Sequence, residues 1–237
     1  MSLDELVEQS RAAAAADPAW LGSGAHLALL RTALESVFGL PNASLDWVSP
    51  GSQGFWERAT RQMTLERPTP IRGCTDSEVA KLTALSLLHE CLHARYSTSF
   101  GSFESRKRAL NSLLWPATDR LFNVIEDGRI SALGGVADPA IASHLAEFAD
   151  LAVEQAARRA GNSGPGPTPA SQRNQLFFAV EAYALRPDEL PSVDIDVRQV
   201  LAQLVPLIES TKDGTTEDCG VVAVEVVKAI MASALPS

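Results

Sequence analysis

Apolar residues recur at three-and-four spacing along most of the chain, and that period predicts helices. Leu3, Leu6 and Val7 open an Ala-rich helix over 3–16, and Leu27, Leu30, Ala33, Leu34 and Val37 mark a second over 25–38. Gly39, with Pro41 just beyond, is expected to stop the second. From Ser44 to Pro70 the period shortens to two, predicting short strands at 45–48 and 60–66. In the latter, Arg61, Met63 and Leu65 alternate with Gln62, Thr64 and Glu66. Thr75-Asp76-Ser77-Glu78 reads as a capping box, opening a helix that runs to about Tyr96 through Val79, Leu82, Leu85, Leu88 and Leu92. Further helices are expected over 104–114, ended by Pro116, over 118–133, ended by Gly134-Gly135, and over 139–160. The Gly/Pro-rich segment that follows reads as a flexible linker or loop over 161–170, with helices after it near 171–185, 194–210 and 216–234. The pattern therefore predicts a mainly α (α+β) protein with a small sheet before the capped helix. Its expected organisation is a domain over 1–160, the linker, and a helical extension over 171–237 packed on the same domain.

Composition narrows the function classes. With 46% hydrophobic and 21% charged residues in 237, the chain can bury a core, which excludes disorder throughout. The net charge of −9, without a Lys/Arg block, argues against nucleic acid and anionic membranes, since both require a cationic footprint. The short run Arg106-Lys107-Arg108 reads as a solvated helix face. No stretch reaches the roughly 18 apolar residues of a membrane helix. Cys74, Cys91 and Cys219 have spacings that suit neither a disulfide framework nor a cysteine zinc site. With the acidic, polar start, this predicts a soluble cytoplasmic protein.

Chemistry concentrates in His89-Glu90-Cys91-Leu92-His93, an HExxH pattern inside the capped helix. Residues four apart lie on one helical face, about 6 Å along the axis, so both imidazoles can converge on one ion. Glu90 is rotated about 100° from His89, poorly placed as a ligand but well placed to accept a proton from water activated by the ion. Only four histidines occur in the chain, and a shuffled sequence of this composition contains the pattern about 0.003 times. Cys91 points in another helical direction and reads as a core thiol. The ExxH of Glu90 and His93 has no second copy, which argues against a di-iron bundle.

A catalytic zinc usually takes a third protein ligand. His26 and His144 are the other histidines, and neither lies in a motif. The segment Leu121-Phe122-Asn123-Val124-Ile125-Glu126-Asp127-Gly128-Arg129-Ile130 offers Asn123, Glu126 and Asp127 on one helical face among apolar neighbours. Glu126 is the expected third ligand, with Asp127 expected to orient a ligand histidine through its free N–H and Asn123 to support the ligands beside it. The exchange, with Asp127 as ligand and Glu126 as support, stays open.

HECLH followed 33 residues later by the Glu of Asn123-Val124-Ile125-Glu126-Asp127 resembles the gluzincin arrangement, in which a Glu on a second helix completes the site. More narrowly, HExLH with N-x-I-E-D-x-R-I resembles the metallopeptidase-like domain found ahead of von Willebrand A domains. These occur in proteins related to cobalt-chelatase and nitric-oxide-reductase activation subunits and in phage relatives. The resemblance covers roughly residues 44–135, and only the two motifs are specific. It implies a zincin-like fold, a bound Zn²⁺ held by His89, His93 and Glu126, and Glu90 as the catalytic base of a zinc metallopeptidase acting on peptide or protein. It also implies a second class: a catalytically silent metal-binding module in protein–protein interaction, with a MoxR-type ATPase or von Willebrand A partner. The strand near Arg61–Glu66 is the expected edge for an extended substrate. Arg95, Tyr96, His144 and Tyr183 are candidates to stabilise an oxyanion.

Overall fold

The structure, a computed structural model, describes residues 1–50, 52, 54–71, 74–98, 101–150, 169–187, 192–233 and 235. Two compact units divide the chain, Met1–Tyr96 and Ser97–Ser237. Residues 1–160, expected as one domain, thus contribute to both. Most of the expected linker, and the far end of the expected 139–160 helix, lie outside the described residues.

The first unit holds helices α1 (Leu3–Ala16), α2 (Gly24–Ser36) and α3 (Asp76–Tyr96) with strands β1 (Ser44–Val48), β2 (Phe55–Glu57) and β3 (Gln62–Glu66). The helix starts are written locally. Ser2 and Glu5 form a capping box on α1. On α3 the Glu78 amide donates to Thr75 Oγ1 at 3.2 Å and the Thr75 amide donates to Glu78 at 2.6 Å, as the sequence predicts. Those Thr75 bonds hold the Glu78 carboxyl below its usual range. After α2 the chain turns at Gly39, whose φ of 63° suits glycine.

The sheet order is β1-β3-β2, with β1 parallel and β2 antiparallel to β3. Leu45 pairs with Met63 and Trp47 with Leu65 across the parallel ladder, and Trp56 opposes Met63 on the other side. One face therefore carries Leu45, Trp47, Met63, Leu65 and Trp56, and it is the apolar one. Strand β2 escaped the sequence reading because three residues cannot establish a two-residue period. Arg61, expected inside a strand, instead turns the chain with φ 53°. Arg31 of α2 donates to the Leu45 carbonyl at 2.8 Å and pairs with Asp46, covering the outer flank of β1. Helix α1 lies along α3, which buries Val79, Ala80, Ala84, Leu85, Leu87, Leu88, Cys91 and Leu92.

The second unit holds α4 (Gly101–Arg108), α5 (Trp115–Ala137), α6 (described over 142–150), α7 (Pro169–Leu185), α8 (Ile195–Glu209) and α9 (Thr216–Ala232). Pro116, expected to end a helix, lies in the first turn of α5, where its missing N–H costs no helical bond. Gly134-Gly135 does not stop α5, which continues to Ala137 with Gly134 buried. One core joins Leu121, Phe122 and Ile125 of α5 to Leu176 and Val180 of α7, Leu201 of α8 and Val226 of α9. A Cβ on Gly128 would overlap the Ala184 carbonyl, so α5 and α7 cross as closely as their backbones permit. Lys107 departs from its expected solvated role. It is 8% exposed, paired with Glu104 and Asp119 and set over the Phe103 and Trp115 rings.

Candidate metal centre

Helix α3 packs its Ala80–Ala84–Leu87–Cys91 stripe inward, and at about 100° per residue His89 and His93 fall on the opposite side. Their Nε2 atoms lie 3.2 Å apart, with ring centroids at 4.7 Å and planes at 87°. Two nitrogens bound tetrahedrally to zinc at about 2.05 Å stand about 3.3 Å apart, so the pair fits that ion. Both residues are half-buried, reachable from outside yet backed by a rigid helix.

Glu90, in the intervening turn, is also half-buried. Its Oε1 lies 3.5 Å from the position a Cβ on Gly54 would take, so the carboxylate lies beside the entry to β2. That same Cβ would stand 2.8 Å from the Thr64 carbonyl, a contact only glycine avoids. Strand β3 is paired on both sides and offers no edge to a substrate, which corrects the expectation for Arg61–Glu66. Its alternating sequence marked it as a strand but could not say where in the sheet it lies. The edge next to Glu90 is β2. Cys91 is 5% exposed, and burial, then the Glu90 charge, pushes its thiol well above the usual range. It is a neutral core thiol, not a ligand.

His26 is sealed in the first unit. It is 0% exposed, stacks on Trp20 at 4.2 Å, meets Trp47 edge-on and accepts the Gly22 amide at Nδ1. Burial lowers its pKa to about 4.

In the second unit Glu126 is 2% and Arg129 3% exposed. Arg129 donates to Glu126 through Nε and Nη2, both at 2.7 Å. Ser97 Oγ and Thr216 Oγ1 donate to the same carboxylate at 2.7 and 2.9 Å. Burial works to raise the Glu126 pKa, but Arg129 and Ser97 outweigh it and hold the carboxyl below its usual range. The Glu126 carboxylate in turn keeps the buried guanidinium charged. Asp127 is half-buried and Asn123 exposed. The i, i+3 spacing of Glu126 and Arg129 was visible in the sequence, whereas Thr216, 90 residues away, carried no local signal. Tyr183 donates to Glu209 at 2.7 Å and Arg95 lies over the Tyr96 ring, while His144 is half-buried on α6.

No family model, curated protein or solved structure matches this chain. Its likeness to the zincins thus stands on the two motifs alone. Among the described residues no helix is long and apolar enough to cross a membrane.

Proposed function

We propose that the protein is a zincin-like, zinc-dependent metallopeptidase in which His89 and His93 hold the ion, Glu90 is the base, and the third ligand is the one the resemblance implies, Glu126, or in exchange Asp127. The observation that supports this best is the 3.2 Å approach of the two Nε2 atoms with a half-buried carboxylate in the turn between them. Zinc, when bound, supplies a Lewis acid for the scissile carbonyl and makes water acidic enough to react near neutral pH. Glu90 accepts the proton of the attacking water and passes it to the departing amine as the C–N bond breaks. Strand β2, beside Glu90, pairs with β3 alone among the described residues, and its other edge is the one we assign to an extended peptide. The resemblance leaves Asn123, and whichever carboxylate of the pair is not a ligand, a supporting role. The reaction belongs in the cytoplasm, in keeping with the cysteine spacing.

A second reading, a catalytically silent module that docks a MoxR-type ATPase or von Willebrand A partner, draws support from Tyr183. That candidate oxyanion donor is committed to Glu209. Metal analysis and peptide cleavage separate the two. Wild type is expected to carry about one zinc per chain and His93→Ala to lose it. Glu90→Gln is expected to keep the zinc and stop hydrolysis of a peptide library. Zinc retained by His93→Ala rejects the metal centre. Cleavage undiminished in Glu90→Gln rejects the mechanism, and a zinc-loaded wild type that cleaves nothing favours the second reading.

A further inference from the structure

We infer that β2 selects its substrate by sequence: Phe55 takes a large apolar side chain, and Glu57 takes a Lys or Arg two positions before it. This rests on the metallopeptidase reading above and concerns the first unit alone. Side chains alternate along a strand, and residues paired across a ladder share a face. Trp56, opposite Met63, belongs to the apolar face already described, so Phe55 and Glu57, opposite Thr64 and Gln62, lie on the other. Phe55 is 49% exposed, and among the described residues no other aromatic side chain is as open.

The residue is fixed from behind. Its amide donates to Thr64 Oγ1 at 3.2 Å and the same hydroxyl donates to its carbonyl at 3.5 Å, with Thr64 itself buried. An exposed aromatic that is already ordered binds with little further loss of freedom. Glu57 is exposed and accepts the Ala59 amide at 3.1 Å, which uses one of its roughly four lone-pair sites. Of the cations close by in the chain, Arg61 donates to the Pro41 carbonyl at 2.7 Å and Arg58 lies past the end of the strand. A peptide laid antiparallel along the edge of β2 away from β3 sets one residue opposite Phe55 and the residue two before it opposite Glu57, on the same face. A large apolar side chain suits the first position and a cation the second. The residue after the apolar one falls opposite Gly54, where Glu90 Oε1 comes within 3.5 Å of the position of a Cβ. The bond on the C-terminal side of the apolar residue is therefore close to the base.

The test uses labelled peptides of about ten residues in one Ala/Thr frame, with Lys-Thr-Phe at the centre or Glu-Thr-Phe or Lys-Thr-Ser in its place. Binding is followed by fluorescence anisotropy on Glu90→Gln, and cleavage by mass spectrometry on protein with Glu90 intact. The Lys-Thr-Phe peptide is expected to bind about fivefold more tightly than either counterpart. Adding Glu57→Lys should reverse the preference for Lys over Glu. Phe55→Ser should erase the preference for Phe over Ser, while Phe55→Leu keeps most of it. About 1 M salt should flatten the Lys preference and leave the Phe preference standing. Thermal midpoints within about 3 °C of the parent show that these variants fold. Cleavage is expected on the C-terminal side of the Phe. No peptide binding, equal binding of all three peptides, or preferences unmoved by the changes at Phe55 and Glu57 overturns the inference. Selective binding by a protein that cleaves nothing upholds the inference and counts against the metallopeptidase reading. Cleavage without these preferences upholds that reading and overturns the inference.

Discussion

Helices α3 and α5 each place an acidic residue within a turn of a basic one, and they use the pair in opposite ways. On α3, His89, Glu90 and His93 are all half-buried, on the far side of the helix from its Ala84–Cys91 stripe or flanking it. On α5, Glu126 and Arg129 are at most 3% exposed, and four donors fill the carboxylate. A buried charge with all its bonds made holds structure together, and taking away one partner is expensive. A polar group that solvent can reach from a rigid base can exchange protons and accept ligands. An acidic and a basic residue within one turn are therefore accessible in one helix and sealed into the packing in the other. Burial and bond count decide which.

Breaking the architectural side should have the largest effect. Gly128→Ala drives a methyl into the Ala184 carbonyl, where neither helix backbone can yield cheaply. It should destabilise the protein by at least about 3 kcal/mol, read from the urea unfolding midpoint. A midpoint equal to wild type would show that α5 and α7 separate more easily than their crossing implies.

The histidines sharpen the comparison within the first unit. His26, neutral and sealed, has a pKa lowered by burial from 6.5 to about 4. The unfolded chain then binds the proton more readily than the folded one. Its contribution is complete above about pH 6.5 and falls away as pH drops towards 4, by up to about 3 kcal/mol. In His26→Asn the side-chain oxygen can still accept the Gly22 amide but nothing titrates. Urea midpoints between pH 7.5 and 4 should fall more steeply for wild type than for that variant, and parallel curves would refute the assignment.

The smallest effect belongs to the chemical side. Gly54→Ala should cost only about 1–2 kcal/mol, because short β2 can shift away from the Thr64 carbonyl. The shift would move the edge beside Glu90, lowering any peptide cleavage by about tenfold while zinc content stays unchanged. Equal loss of zinc and cleavage would instead show that Gly54 supports the imidazoles.

Several features were legible before any coordinates. The capping box at Thr75, the HExxH face and the turn at Gly39 depend on residues within one or two turns of each other, and they appear where the pattern puts them. Features set by competition between segments were not. Pro116 and Gly134-Gly135 read as helix ends, yet α5 runs from one past the other because its apolar face has a core to join. Lys107 read as solvated until Phe103, Trp115 and two carboxylates enclosed it.

By itself the sequence determined which helix carries two imidazoles and a carboxylate in one turn, since helical geometry depends only on neighbours along the chain. Only the tertiary structure decided that β3 has no edge to offer, that β2 lies beside Glu90, and that Glu126 is enclosed by Arg129, Ser97 and Thr216. The reason is physical. Hydrogen-bond capacity is written into each residue, but how it is used depends on groups that folding brings in from distant positions.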